Sequence, residues 1–164
     1  MLKNSTRSQV IGLVAWLALT FVAAAVGAIA SMDAPAFYGQ LVKPTWAPPA
    51  SLFGPVWSAL YLLMGLAAWL VWRERPSQSV DGALGLYLVQ LATNALWTWL
   101  FFSWHKGAIA FAEILLLWLL VAGTAAAFWR ISRLAGVMLL PYLAWISFAA
   151  ALNWVLWLRN PGLV

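Results

Sequence analysis

The stretch AIAFAEILLLWLLVAGTAAAFW, residues 108–129, contains a single charged side chain, that of Glu113. Roughly 20 mostly apolar residues make a helix long enough to cross the hydrocarbon core of a bilayer. Backbone groups in lipid must be satisfied within the segment, and a continuous run of this length is too long for a barrel strand. The stretch therefore predicts a membrane-spanning helix.

Four more stretches have the same apolar character. They are residues 10–30, 51–72, 82–102 and 134–158. The first also resembles a signal peptide, but its roughly 21 apolar residues exceed the usual 7–15 of a signal core, so we expect it to be retained as a span. The sequence thus predicts an all-α integral membrane protein, one domain over residues 1–164, folded as a five-transmembrane-helix bundle.

The composition of the 164 residues excludes several classes of protein. With 65% hydrophobic and 8% charged residues, the chain is too apolar for a water-soluble or disordered protein, and its partner is the lipid bilayer. The net charge of +5 arises from basic residues in short segments between apolar runs, which is typical of membrane flanks and predicts no nucleic-acid partner. With no Cys and one His, we expect no metal site.

Basic residues are distributed unequally between the two predicted ends of the bundle. The N-terminal side has Lys3, Arg7, Arg73, Arg75, Arg130 and Arg133, and the opposite side has Lys43, Lys106 and Arg159. Since cytoplasmic loops are enriched in Lys and Arg, this predicts a cytoplasmic N-terminus in a bacterial membrane.

The first connection, residues 31–50, is much longer than the others. It contains four prolines together with Phe37, Tyr38, Leu41 and Trp46. Long connections in compact domains are usually functional or disordered, and the apolar side chains favour packing. We therefore predict an ordered lid over one mouth of the bundle.

Residues for acid–base or nucleophilic catalysis are scarce. The sequence has no carboxylate pair, no Ser-His-Asp set and no glycine-rich phosphate loop, so we predict no catalytic residues of these kinds. Glu113 is near the start of its helix, where we expect it to reach the interface or pair with Lys106 or His105. His105 itself is expected to be solvated. Ligand binding is the better hypothesis.

Three helical faces carry aromatic or amide side chains at helical spacing. They are Phe53, Trp57 and Tyr61; Asn94, Trp97 and Phe101; and Trp145, Ala149 and Asn153. Buried amides in lipid need partners, so Asn94 and Asn153 should face the bundle interior. Aromatic stripes of this kind either pack helices together or enclose a flat apolar ligand, and spacing alone leaves both alternatives open.

Small residues recur at four-residue spacing in the first helix, where Ala23 precedes Gly27 and Ala24 precedes Ala28. Such spacing allows close helix contact. Ala83 and Gly85 add small residues to the third helix. The pattern fits either a homodimer interface or packing within one chain.

Several blocks of the sequence resemble the tryptophan-rich sensory protein and translocator protein family, TspO/MBR, which includes the peripheral benzodiazepine receptor. The lid carries Phe37-Tyr38-x-x-Leu41-x-Lys43-Pro44-x-Trp46-x-Pro48-Pro49. The helices carry Phe53-x-x-x-Trp57-x-x-x-Tyr61, Gln90-Leu91-x-x-Asn94-x-Leu96-Trp97, Pro141-Tyr142-Leu143-x-Trp145 and Leu152-Asn153-x-x-x-Trp157-x-x-Asn160. The blocks occur in the family's order over residues 37–160.

The resemblance implies a homodimer of five-helix bundles that binds protoporphyrin IX, haem, sterols or drug-like benzodiazepine-site ligands beneath the first loop, with no obligatory cofactor. Transferred by position, the implied ligand-binding residues are Tyr38, Trp46, Pro48, Phe53, Trp57, Tyr61, Asn94, Trp97, Trp145, Ala149 and Leu152. Two departures stand out: Phe37 replaces a family Trp, and Trp154 takes the place of the Tyr in the animal sterol motif, which weakens the case for sterols.

Three functions follow as hypotheses. The first is porphyrin binding with a sensing or transport role, in which indoles stack on the macrocycle and Asn94 bonds its polar edge. The second is light-dependent porphyrin breakdown, with Trp57 or Trp145 exchanging an electron with the excited ligand. The third is a membrane scaffold that organises partners.

Overall fold

The computed structural model describes residues 6–75 and 77–164, and seven α-helices account for most of them. In order they are α1 (Thr6–Ala30), α2 (Ala34–Gln40), α3 (Phe53–Trp72), α4 (Asp81–Thr98), α5 (Gly107–Ile131), α6 (Arg133–Met138) and α7 (Leu140–Arg159). A 3-10 turn (Ala50–Leu52) leads into α3, and a π-helical turn (Trp99–Ser103) follows α4. The described residues contain no strand, so the all-α prediction is confirmed.

Four helical segments are long and apolar enough to cross a membrane: Thr6–Ala30, Ala50–Trp72, Gly107–Ile131 and Arg133–Arg159. They coincide with four of the predicted spans. The helix α4 and its π turn cover the remaining one, residues 82–102, but α4 does not reach the same apolar character because it contains Asp81, Gln90 and Asn94. It packs against α1 and α5.

The distribution of side chains is that of a protein surrounded by lipid. Large apolar side chains such as Val22 and Leu119 are 61% and 64% exposed, whereas Thr20 and Asn153 are buried at 0% and 1%. A water-soluble protein would bury the first pair and expose the second. Lys3, which contributes to the predicted orientation, lies outside the described residues.

The helices α1 and α3 approach closely in the half of the bundle that contains the start of α1. A Cβ on Gly12 would lie 2.2 Å from the Trp72 ring, and one on Gly65 would lie 2.8 Å from Leu17. The Trp69 indole also donates to the Gln9 carbonyl at 3.1 Å. Small residues therefore permit the contact here, as they do between helices in membranes.

The predicted lid, residues 31–50, is ordered and carries the short helix α2. Pro35 stands in its first turn, where a missing backbone N–H costs nothing, and Phe37 and Tyr38 are buried against the bundle. The Asn160 side chain, just after α7, accepts from the Val42 N–H at 2.7 Å and donates to the Val42 carbonyl at 3.2 Å. The lid is thus fastened to the last helix.

Candidate functional site

A cavity of about 510 Å³ lies beneath the lid, between α1, α2, α3, α4 and α7. Seven of the residues implied by the family resemblance line it: Tyr38, Phe53, Trp57, Tyr61, Trp97, Trp145 and Ala149. A volume of this size and a mainly apolar wall are typical of small-molecule sites.

One wall of the cavity is a continuous aromatic surface built from α3 and α7. Phe53, Trp57 and Tyr61 share a face of α3, and the Trp57 and Tyr61 ring centroids are 5.7 Å apart. Trp145 of α7 lies edge-on to Phe53 at 6.0 Å and to Trp57 at 6.5 Å. The rings pack against each other and also line the cavity, so packing between the helices does not exclude a place in a ligand site.

The opposite wall of the cavity lies on α1, and the sequence did not lead us to predict that these residues belong to the site. Ala24, Ala25, Gly27 and Ala28 line the cavity together with Phe21. The sequence showed their small size, but we interpreted it as a sign of close helix contact. Here the absence of larger side chains leaves the space in which a ligand can lie.

The rim of the cavity lies between α1 and α3. Ala25 and Ala28 on α1, and Gly54 and Ser58 on α3, line the cavity and are also exposed on the outer surface. The two helices that touch at Gly12 and Gly65 therefore leave a side opening near the lid. In a bilayer this opening faces lipid.

Asn94 lies behind the aromatic wall and is not among the residues that line the cavity. Its Oδ1 accepts a short hydrogen bond of 2.5 Å from the Tyr61 hydroxyl, and its Nδ2 donates to the Tyr142 hydroxyl oxygen at 2.9 Å. The neighbouring Trp97 indole donates to Asn153 Oδ1 at 3.2 Å. As expected, both amides face the interior, but their groups are bonded within the protein, and Asn153 Nδ2 donates to the Gly107 carbonyl at 3.1 Å. Asn94 thus orients Tyr61 in the wall.

Three other implied residues also lie outside the lining. Trp46 is 48% exposed and packs edge-on against Phe148 at 5.7 Å. The Pro48 carbonyl accepts from the Tyr38 hydroxyl at 3.0 Å, which ties the lid to itself. Leu152 is buried among the helices. Position in the sequence alone does not distinguish the residues that line the cavity from those that pack behind them.

The residues that line the cavity carry few polar groups and no charged side chain. Those with a hydroxyl are Ser31, Tyr38, Ser58, Tyr61 and Thr98. Burial raises the pKa of Tyr38, so this lid hydroxyl stays neutral at physiological pH. In residues 6–75 and 77–164 no cluster of three His, Cys, Asp or Glu side chains has the arrangement of a metal site.

Trp145 has an indole N–H that is buried without a hydrogen-bond partner in the described part of the chain. Buried donors are normally paired, because leaving one unpaired costs about 1–3 kcal/mol. Trp145 lines the cavity with other parts of its ring, because the indole nitrogen itself is inaccessible.

The expectation for Glu113 is wrong. Its side chain is 9% exposed and lies inside the bundle, and it pairs with neither Lys106 nor His105. Glu113 falls on the interior face of α5 with Ala110 and Leu117, so the helix phase turns it inward. His105 is exposed, as expected, and stacks on Phe37 with a centroid distance of 4.1 Å.

Comparison with known proteins identifies the family that this sequence matches. The sequence profile of the TspO/MBR family matches residues 14–158. The chain is 42% identical over 149 residues to Protein CrtK of Rhodobacter capsulatus, covering 88% of this chain and 92% of that protein. It is 41% identical over 142 residues to the tryptophan-rich sensory protein of Cereibacter sphaeroides, with 84% and 87% covered. It is also 41% identical over 128 residues to the translocator protein of Ovis aries, with 77% and 76% covered.

Proposed function

The chain belongs to the TspO/MBR family, and on that premise we propose that it binds protoporphyrin IX and drug-like benzodiazepine-site ligands in the aromatic cavity, in a sensing or transport role. The observation that carries the proposal is the cavity itself, about 510 Å³ between the aromatic wall on α3 and α7 and the small residues of α1. A flat ligand gains both aromatic contact and room there.

The chemistry of the wall favours a ligand that is apolar over most of its surface. Trp57 and Trp145 offer ring faces and edges. Because the lining contains no His, Met or Cys, we expect haem to gain little over the metal-free macrocycle. The opening between α1 and α3 favours entry from the lipid phase.

Replacing Trp145 by Phe is expected to weaken protoporphyrin IX binding about two- to tenfold, the equivalent of an aromatic contact of about 0.5–1.5 kcal/mol. The phenyl ring is smaller than the indole and keeps only part of the aromatic surface that lines the cavity. Titration of the purified protein in lipid nanodiscs, followed by the absorption of the porphyrin, measures the affinity. Parallel titration with haem should give an affinity no tighter than that for protoporphyrin.

Trp118→Phe is the matched control for this titration. The Trp118 indole donates to Ser147 at 2.9 Å, and Trp118 is not among the residues that line the cavity. We expect wild-type affinity from this variant. Equal weakening by both substitutions would show that the effect does not come from contact between the ligand and Trp145, and absence of any binding by the wild type would refute the proposed function.

We also propose a membrane topology and an oligomeric state. The chain has five spans, with α4 as the third, and a cytoplasmic N-terminus, and it associates into a homodimer. The packing of α4 between α1 and α5 supports its place in the bilayer. Gly85 near the start of α4 is exposed and would meet nothing within 4 Å if it carried a Cβ, which leaves room for a partner helix.

The placement of Trp57 and Trp145 also supports a second candidate function, light-dependent porphyrin breakdown. Both indoles line the cavity, with ring centroids 6.5 Å apart, so a bound porphyrin would lie beside an electron donor. We expect Trp57→Phe and Trp145→Phe to slow the loss of porphyrin absorbance under illumination at saturating ligand. Equal rates in both variants and the wild type would exclude this function while leaving binding intact.

A further inference from the structure

The chain reverses direction sharply between α5 and α6. Ser132 has an extended backbone conformation, and its hydroxyl and carbonyl oxygens accept from the Ala135 and Gly136 N–H groups of α6. A Cβ on Gly136 would lie 2.8 Å from the Trp129 Cβ, so α6 packs directly against the last turn of α5. The residues between Trp129 and Gly136 therefore form a tight corner at one end of the bundle.

Two arginines lie at this corner. Arg130 is in the last turn of α5, Arg133 is the first residue of α6, and both residues are exposed. Three peptide units separate their Cα atoms, so these atoms are at most about 11 Å apart and both side chains can reach one anionic group. Neither guanidinium has a hydrogen bond or an ion pair with any residue in 6–75 and 77–164. The corner thus presents two available cations.

The four acidic residues of the chain do not neutralise these cations. Asp81 pairs with Arg75 at 2.6 Å, and Glu74 forms no ion pair within the described part of the chain. Asp33 precedes the lid helix α2 at the other end of the bundle, and Glu113 is buried in α5. The anionic partner of the corner must therefore come from outside the described residues.

Both arginines lie at the level where lipid headgroups are expected. Two apolar segments that are long enough to cross a membrane, Gly107–Ile131 and Arg133–Arg159, meet at the corner. Apolar side chains adjoin the cations, since Trp129, Leu134 and Val137 are 47%, 58% and 44% exposed. An indole at the end of a span is typical of the boundary between hydrocarbon and headgroups. A partner that fits this surface combines an anionic group with apolar chains.

We propose that the corner formed by Trp129, Arg130, Arg133, Leu134 and Val137 binds an anionic phospholipid. The two guanidiniums contact the phosphate, and the apolar side chains contact the first part of the acyl chains. The same arginines repel the cationic headgroup of a zwitterionic lipid, so the corner favours lipids with a net negative charge. Because α6 packs on both α5 and α3, a lipid bound here stabilises the folded bundle.

Thermal unfolding of the purified protein in detergent micelles measures this binding, because a ligand of the folded state raises the midpoint according to its affinity. Phosphatidylglycerol should raise the wild-type midpoint more than phosphatidylcholine does. The double variant Arg130→Gln/Arg133→Gln should bind phosphatidylglycerol about 30-fold more weakly, or by about 2 kcal/mol for two basic residues. Since both residues are exposed, the midpoint without added lipid should stay close to that of the wild type.

Arg75→Gln is the matched control, because it removes the same charge from the same end of the bundle, where Arg75 already pairs with Asp81. We expect wild-type affinity for phosphatidylglycerol from this variant. Equal weakening by Arg75→Gln and by the single variants Arg130→Gln and Arg133→Gln would mean that only net charge matters, and it would overturn a site at the corner. An equal rise of the midpoint with inorganic phosphate would show that the acyl chains take no part, which also contradicts a lipid site.

Native mass spectrometry of the protein with an equal mixture of the two lipids provides a second measurement that does not depend on unfolding. The wild type should retain phosphatidylglycerol in preference to phosphatidylcholine, and the double glutamine variant should lose that preference. Arg130→Lys/Arg133→Lys retains both charges and should keep most of it. Equal retention of both lipids by the wild type, or an unchanged preference in the double glutamine variant, would refute the site.

Discussion

Replacing Ala24 by Trp is expected to weaken protoporphyrin IX binding by about 100-fold or more, equivalent to about 2.8 kcal/mol. Ala24 lines the cavity on the α1 side, opposite the aromatic wall. An indole at this position occupies the volume that a planar ligand needs. Because it enters space between the walls, we expect little overpacking and a thermal midpoint close to that of the wild type.

The control for this variant is Ala18→Trp on the same helix. Ala18 is exposed and is not among the cavity residues, so its indole should lie in lipid and leave affinity unchanged. Porphyrin titration in nanodiscs compares the two variants. Wild-type affinity in Ala24→Trp would place the ligand outside the α1–α3 cavity, even if Trp145→Phe weakened binding.

The aromatic half of the site was predictable because helical spacing fixes which side chains share a face. Phe53, Trp57 and Tyr61 had to lie together on α3 whatever the packing of the bundle. The resemblance then brought Trp145 to the same region, and the structure places its ring 6.0 Å from that of Phe53. Local periodicity and family motifs therefore sufficed for this wall.

The α1 half was not predictable from the same evidence. Small residues permit close approach of helices and also leave cavities, and only the crossing of α1 and α3 decides between the two. Gly12 and Gly65 mark contact, whereas Gly27 and Ala28 border the cavity. Small residues near the start of α1 thus permit helix contact, whereas those near its end border the cavity.

Polar residues show a second limit of sequence reasoning. Spacing placed Asn94 in the interior, but it could not show that Tyr61 and Tyr142 would occupy its amide. The depth of Glu113 suggested the interface, yet the phase of α5 turns it toward the core. Hydrogen-bond partners depend on tertiary distances, and for Asn94 the two partners are 33 and 48 positions away in the sequence.

The lid should be held in place mainly by Asn160, and Asn160→Ala is expected to release it. The side chain is 3% exposed and makes two hydrogen bonds to the backbone of Val42, 118 positions away. Each bond contributes about 0.5–1.5 kcal/mol, so their loss should favour local opening by about 2 kcal/mol, or roughly 30-fold. Its third bond, to the Leu156 carbonyl at 2.8 Å, orients the amide toward the lid.

Hydrogen–deuterium exchange measures this opening without any ligand, because amide exchange follows the population of the open state. Amides of α2 and Val42 should exchange about 30-fold faster in Asn160→Ala, while those in the middle of α5 should be unaffected. Arg159→Ala is the matched control: its guanidinium reaches the Lys43 carbonyl at 3.4 Å on the exposed surface, where such a bond contributes little. Equal exchange in both variants would mean that internal bonds, such as that from Tyr38 to Pro48, hold the lid, and that its attachment to α7 does not limit access to the cavity.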